Sequence, residues 1–278
     1  MTAAGSGAGA ISHKTLVLNS AAAFIGAQML VVLVHELAHV VAGLALGSSG
    51  ELFPFGVVHT PEGTRGQAAV MALAGPLFSL VTGAVMVLWQ PLRSRRGFAQ
   101  LFWVWFAHVS VMEGIGYLVL TPFGVGDTGA TAASYDLSPV ITWLCLLISV
   151  AGMFWLAMSF ARAAVVHTAG DLPGARGFAF HPWIPGVVFA VLLQLLIFAL
   201  VEATFSPGEQ VAVMMASVAL GVFAPMSVPF SQRIARRDAS LPGSARLQLR
   251  PIPVAGLVVI AVLLVIDLVV LTPGLQLG

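Results

Sequence analysis

Charged side chains are scarce in this 278-residue sequence. Asp, Glu, Lys and Arg together make up 8% of the residues, whereas hydrophobic residues make up 59% and the mean hydropathy is +0.99. A soluble domain carries about 25% charged residues, so the composition excludes an ordinary soluble protein and predicts a polytopic membrane protein. The net charge of +1 offers no basic surface for nucleic acid. We therefore expect the partners of the protein in the lipid bilayer.

Two common features of secreted proteins are also missing. Cys145 is the only cysteine, which excludes an intramolecular disulfide framework and a cysteine-rich zinc site. Residues 1–13 are rich in Gly, Ala and Ser, and the apolar run that follows is longer than the roughly 7 to 15 residues of a signal-peptide core. We expect this run to be a retained transmembrane helix rather than a cleaved presequence.

Long apolar segments fill most of the chain. A spanning helix needs about 20 mostly apolar residues, and we predict all-α polytopic architecture with about seven transmembrane helices and a short loop or hairpin after the first. The predicted spans are 16–46, 67–90, 98–120, 139–164, 183–204, 209–230 and 252–271. This divides the chain into a polar N-terminal tail (1–15), a membrane core that carries the motifs described below (16–137), and additional transmembrane helices of unknown role (138–278).

Basic residues are distributed unevenly around these spans. If seven helices cross the membrane, eleven of the twelve Lys and Arg residues lie on one side and only Arg65 lies on the other. Cytoplasmic loops are enriched in Lys and Arg. The asymmetry predicts an integral protein of a bacterial plasma membrane with a cytoplasmic N-terminus and an extracytoplasmic C-terminus.

The pentad His35-Glu36-Leu37-Ala38-His39 lies inside the first apolar run. Two imidazoles four residues apart share one helical face and can bind one divalent metal ion, while the carboxylate between them can reach a metal-bound water. This is the His-Glu-x-x-His signature of zinc hydrolases, and ionisable residues inside a membrane usually mark function. We predict that His35 and His39 bind Zn²⁺ and that Glu36 is catalytic; the alternative is a structural pairing of the histidines with Glu36.

A catalytic zinc site usually has a third protein ligand. Four residues lie at a suitable depth: Glu113 and His108 in the third span, His59 in the first loop, and Asp127 just beyond the third span. Glu113 could instead pair with His108 or with other groups in the bundle, and His59 could be a solvated loop residue. The local sequence favours Asp127, because the surrounding Pro and Gly residues break the helix where irregular backbone must be buried or line a wet cavity.

The chain resembles a known family, the site-2 proteases, which are intramembrane zinc metalloproteases. The histidine pentad matches the first motif of that family. A later family motif, a Pro followed five residues on by an Asp and then a Gly pair, is matched by Pro122, Asp127 and Gly129, with Thr128 in place of the first Gly. The resemblance covers residues 29 to about 130 and implies that Asp127 is the third zinc ligand.

A Gly-Pro motif in the intervening helix of the family is matched by Gly75, Pro76 and Ser79, and the resemblance implies that these residues bind substrate. Family members usually carry Asn at the position of Ser79, and another Asn three residues before the later Pro, where Val119 stands. These substitutions leave the zinc ligands intact. They fall where a polar amide would hold the substrate backbone or an oxyanion.

The resemblance implies a zinc-dependent intramembrane endopeptidase that cleaves membrane-embedded polypeptides with metal-activated water. The expected substrates are membrane-anchored regulators or signal-peptide remnants. A helical substrate must unwind locally, and the Gly/Pro-rich segments near 47–66 and 121–130 could bind it as an added strand. Two alternatives stay open: a zinc hydrolase of a lipid or small amphiphile, and a non-catalytic binding or transport protein. The oligomeric state is not indicated.

The predicted orientation differs from the usual one in this family, where zinc lies toward the cytoplasmic face. Here the first helix starts inside, so His39 lies nearer its outer end. Either the site opens outward in this protein, or one more span precedes residue 47 than we count. The segment 16–46 is long for one span and short for two, which favours a single helix.

Overall fold

A computed structural model describes residues 11–92, 94–201, 207–237 and 247–278. Within these ranges, seven helical segments are long and apolar enough to cross a membrane. The protein is therefore an all-α polytopic integral membrane protein, as predicted. The first ten residues of the polar tail, Arg93, and residues 238–246 of the last basic loop lie outside the described residues.

The helices follow one another along the chain with short connections. They are α1 (His13–Ala45), α2 (Arg65–Leu88), α3 (Phe98–Leu120), α4 (Gly126–Ser134), α5 (Pro139–His167), α6 (Leu172–Leu200), α7 (Pro207–Ala219), α8 (Phe223–Arg237) and α9 (Val254–Val265). A 3₁₀ turn at Thr121–Phe123 joins α3 to α4, and a π-helical turn at Ile266–Leu271 extends α9. The helices α7 and α8 together make one span, whereas α4 is too short to cross the membrane.

The predicted boundaries were wrong at the fifth and sixth spans. The fifth begins at Leu172 instead of 183, because Asp171 caps α6 by accepting a hydrogen bond from the Gly174 N–H at 3.0 Å. Pro182 and Pro185 lie inside α6, as membrane helices often allow. The sixth span is interrupted at Gly221, where an added Cβ would collide with the ring of Phe24, and it continues to Arg237.

A small sheet covers the end of α1. The strands β1 (Ser49–Phe53) and β2 (Gly56–Thr60) form the expected antiparallel hairpin, and a third strand, β3 (Leu275–Leu277), pairs with the other edge of β1. The strand order is β2-β1-β3. The hairpin and the C-terminal strand therefore lie on the same side of the helices. Since α1 runs unbroken for 33 residues, the segment His13–Ala45 forms one span, not two.

An aromatic cluster joins the site-bearing helices to the rest of the bundle. The ring of Trp105 on α3 lies 4.7 Å from the rings of Phe24 on α1 and Phe160 on α5, measured between centroids. Phe160 in turn contacts Phe223 on α8 at 4.9 Å. The buried indole N–H of Trp105 donates a hydrogen bond to Ser20 Oγ at 2.7 Å. This packing fixes α1 against α3, and with it the depth of the histidine motif.

Candidate metal centre

Three side chains from α1 and α4 converge between the helices. His35 Nε2 and His39 Nε2 are 3.0 Å apart, and each lies 3.3 Å from Asp127 Oδ2. In a tetrahedral site with bonds of about 2.0–2.1 Å, ligand atoms are separated by about 3.3–3.4 Å. The three atoms therefore have nearly the spacing that one small divalent ion requires.

The outer nitrogen of each imidazole is held by a second group. His39 Nδ1 lies 2.7 Å from the Met71 carbonyl oxygen. A carbonyl can only accept, so this nitrogen donates its proton and, in the neutral ring, Nε2 presents a lone pair to the cluster. His35 Nδ1 lies 3.3 Å from Ser79 Oγ and 3.5 Å from Glu113 Oε1. Such outer contacts are typical of metal-binding histidines, because they fix the ring and its tautomer.

Gly75 on α2 leaves the space that an ion at this cluster would need. A Cβ at this position would lie 2.5 Å from His35 Nε2 and would also collide with His39 Nε2. A side chain of any kind would therefore press on the two nitrogens that face Asp127. The glycine and the donor set together fit a bound zinc ion, which nitrogen and carboxylate ligands suit.

The backbone around Asp127 explains how a residue beyond α3 reaches α1. Gly124 and Gly126 have φ values of 68° and 66°, a left-handed conformation that favours glycine. They turn the chain so that Asp127 falls in the first turn of α4, where the helix dipole favours a negative charge. Burial alone would raise the pKa of Asp127, but its contacts with His35 and His39 lower the pKa to about 2. The carboxylate is thus ionised and able to bind a cation.

The residues after the aspartate tie α4 to the end of α3. Thr128 Oγ1 donates a hydrogen bond to the Tyr117 carbonyl at 2.7 Å and accepts one from Thr121 Oγ1 at 2.9 Å. At Gly129 an added Cβ would lie 2.8 Å from the backbone of the preceding turn. Thr128 therefore tethers α4 to α3, and close packing requires a glycine at position 129.

Glu36 is buried beside the cluster and borders a separate cavity of about 280 Å³. The walls are mostly apolar and come from α1, α3, α6 and α7, with Glu113 and Tyr117 among them. The Tyr117 ring also stacks on the His35 ring, with centroids 5.1 Å apart and planes 11° from parallel. We did not single out Tyr117 from the sequence. Its position four residues after Glu113, on the same face of α3, was the available signal.

The structure separates Glu113 from His108. Glu113 lies on the Nδ1 side of His35, away from the nitrogen that faces Asp127. His108 is held elsewhere: its Nδ1 donates to the Val104 carbonyl at 2.8 Å, and its Nε2 lies 3.2 Å from Ser159 Oγ. The suggested pairing of Glu113 with His108 is wrong, because residues five apart on a helix point in different directions.

His59 lies near the cluster but outside it. Its ring packs against the last turns of α1, where Gly43 leaves room for it. Burial is the main cause that lowers the pKa of His59 below its ordinary value. It is not among the residues whose ligand atoms converge in the described part of the chain.

The Gly-Pro motif of α2 contacts the histidines. Gly75 packs on their Nε2 atoms, Ser79 is 1% exposed with its hydroxyl beside His35, and Pro76 is buried within the helix. These contacts give Gly75 and Ser79 a part in shaping the cluster. Their expected contact with a substrate stays a prediction.

Comparisons of the chain with protein-family models, with curated proteins and with solved structures find no match. The fold and the cluster define the class: a polytopic helical membrane protein with a buried His-His-Asp centre able to hold a metal ion.

Proposed function

We propose that this protein is a zinc-dependent intramembrane endopeptidase. The observation that carries the proposal is the convergence of His35, His39 and Asp127 within 3.3 Å, with Glu36 buried beside them at the edge of an apolar cavity. The three convergent residues would hold the ion. The resemblance of the motifs to site-2 proteases supports the assignment of the reaction.

The residues around the cluster have distinct chemical tasks in this proposal. Bound zinc would supply a Lewis acid and a water of lowered pKa. Glu36 accepts a proton during attack on the scissile carbonyl and delivers it to the leaving amine. Met71 and Ser79 hold the histidine rings in the orientation described above. The apolar cavity receives side chains of a membrane-embedded substrate and limits the access of bulk water.

The sheet restricts how an extended substrate could bind. Because β1 already has a neighbour on each side, a substrate strand can add only to the outer edge of β2 or β3. A polypeptide must leave its helical conformation to pair in this way, since a helix uses its own carbonyls. We therefore propose that cleavage follows local unwinding near the sheet.

The depth of the cluster supports a site that opens on the face opposite the basic loops. His35 lies about 33 Å along α1 from His13, whereas His39 lies only about 9 Å from the end of the helix at Ala45. Given the positive-inside rule, we propose a cytoplasmic N-terminus and an outward-opening site. A reporter fused after Gly278 should then report an extracytoplasmic C-terminus. A cytoplasmic result would contradict this orientation and place the site at the inner face.

Replacing Glu36 by Gln tests the proposed reaction. The variant should keep its zinc, because no ligand is removed, while turnover should fall by about 10² or more. The protein would be reconstituted with synthetic transmembrane peptides that carry helix-breaking residues at different depths. Mass spectrometry would identify the products, and elemental analysis would measure zinc. Undiminished cleavage by Glu36→Gln would contradict the role given to this carboxylate.

A lipid or another small amphiphile is the second candidate substrate. The apolar walls of the cavity favour it, as does Val119 on one wall, where a family member would carry an amide. Parallel assays with phospholipids separate the candidates. Lipid products without peptide products would support the second, and zinc binding without any product would support the non-catalytic alternative.

A further inference from the structure

A second, larger cavity lies at the basic side of the bundle. Its volume is about 1050 Å³, and its walls come from α5, the end of α2 and the connection from α2 to α3. None of the three convergent metal-site residues lines it, and of the residues considered from the sequence only His108 does. The cavity is therefore separate from the candidate metal centre.

One end of this cavity is cationic. Arg96, just before α3, and Arg162, on α5, both line it and are exposed. Within the described ranges, neither guanidinium has an ion-pair partner, and no Asp or Glu is part of the wall. Gln90 and Ser94 add polar groups at the same end. Two unpaired guanidinium groups at one opening favour an anion, and phosphate suits their donor geometry.

The part of the cavity farther along α5 is mostly apolar, with the hydrogen-bonded pair of His108 and Ser159 as its polar residues. Trp155 and Met158 lie on α5 two turns and one turn before Arg162, and Leu88, the last residue of α2, lines the cavity close to Gln90 in the chain. Their side chains are 46%, 43% and 81% exposed, within segments that span the membrane. From Trp155 to Arg162 the helix rises about 10 Å. The cavity thus combines an anion-binding end with an apolar end that extends toward the membrane interior.

We propose that this cavity binds one anionic phospholipid. The phosphate lies at Arg96 and Arg162, and an acyl chain passes Met158 and Trp155 into the bilayer. Basic pockets between transmembrane helices bind anionic headgroups in this way. A free anion would use only the cationic end, whereas a lipid matches both. The inference does not depend on hydrolase activity.

Lipid binding to the purified, delipidated protein tests the proposal. Phosphatidylglycerol and phosphatidylcholine with identical acyl chains would be titrated separately and bound lipid counted by native mass spectrometry. We expect roughly 25-fold tighter binding of phosphatidylglycerol, since each of the two basic residues near the headgroup contributes about fivefold. The double variant Arg96→Gln/Arg162→Gln should lose this preference. The matched control Arg233→Gln/Arg236→Gln, which removes two exposed arginines from α8 on the same side, should keep it.

Two further measurements locate the ligand. Phosphatidylglycerol with brominated acyl chains should quench tryptophan fluorescence in the wild type, and Trp155→Phe should remove part of that quenching. Inorganic phosphate at millimolar concentration should not displace the lipid. The proposal is overturned if the two lipids bind equally, if both double variants lose the preference equally, if Trp155→Phe leaves quenching unchanged, or if phosphate displaces the lipid.

Discussion

The buried imidazole of His108 and the buried pair on α1 lie in two regions of this molecule whose surroundings differ in one respect. At His108 both ring nitrogens find partners within the bundle, a carbonyl oxygen on the same helix and a hydroxyl on α5. At His35 and His39 only the outer nitrogens are held in this way, while the inner nitrogens face each other and the carboxylate of Asp127. The polarity of His108 is satisfied away from the cluster, whereas the pair on α1 and Asp127 direct three possible ligand atoms at one point.

This difference shows why burial of a histidine does not by itself indicate a metal site. Buried polar groups are normally hydrogen-bonded, and His108 follows that rule with no need for an ion. Lone pairs that converge at about 3 Å repel one another unless a proton or a cation lies between them. The direction of Nε2 is therefore the informative feature, and variants can test it.

Removal of either convergent histidine should have the largest effect. Purified wild-type protein should contain about one zinc per chain, and His35→Ala or His39→Ala should reduce this to near zero because two ligands cannot retain the ion. His108→Gln should leave the zinc content unchanged. Elemental analysis after gel filtration measures the content, and thermal unfolding of each variant checks the fold. Full zinc content in either alanine variant would contradict the metal site.

Asp127 and Glu113, the two carboxylates near His35, should differ in how strongly their removal weakens zinc binding. Asp127→Ala removes a ligand and the negative charge that balances the ion in a poorly solvated site, so occupancy should fall strongly. Glu113→Gln alters only a contact with His35 Nδ1, and outer contacts of this kind are worth about 10- to 100-fold in metal affinity. Zinc affinity measured by competition with a chelator would compare the two. The reverse order would make Glu113 the third ligand.

The smallest expected loss of zinc affinity comes from filling the space beside the histidines without removing a ligand. Gly75→Ala places a methyl group against the metal-facing nitrogens, and overpacking of this kind costs about 1–3 kcal/mol, so we expect roughly tenfold weaker zinc binding. Gly66→Ala on the same helix is the matched control, because its added Cβ would meet only the Tyr135 hydroxyl, at 3.8 Å. Equal affinities in the two variants would show that α2 can move away from the cluster.

The transmembrane helices could be predicted from the sequence because a membrane-spanning segment must be apolar, helical and of a minimum length. Apolar length and helix-breaking residues predicted seven spans, and the same rules predicted irregular backbone before Asp127. The Pro and Gly residues there do form a 3₁₀ turn and a left-handed bend. The position of Asp127 beside the histidines also agrees with the motif resemblance. Zinc, proteolysis and orientation stay predictions, since they depend on ligands and a membrane.

Other features could not be predicted because they depend on contacts between distant segments. The strand β3 has three residues, too few for a recognisable pattern, and exists because β1 offers it an edge. Tyr117 stacks on His35 only because α1 and α3 pack side by side. In each case tertiary packing decided the outcome.

The pairing of β3 with β1 has a consequence for biosynthesis. Six of the seven spans separate these strands, so the two emerge on the same side only when an even number of those six has been inserted. If one span failed to insert, residues 275–277 would be left across the bilayer from their partner. Formation of the three-stranded sheet therefore depends on the insertion of every span between β1 and β3.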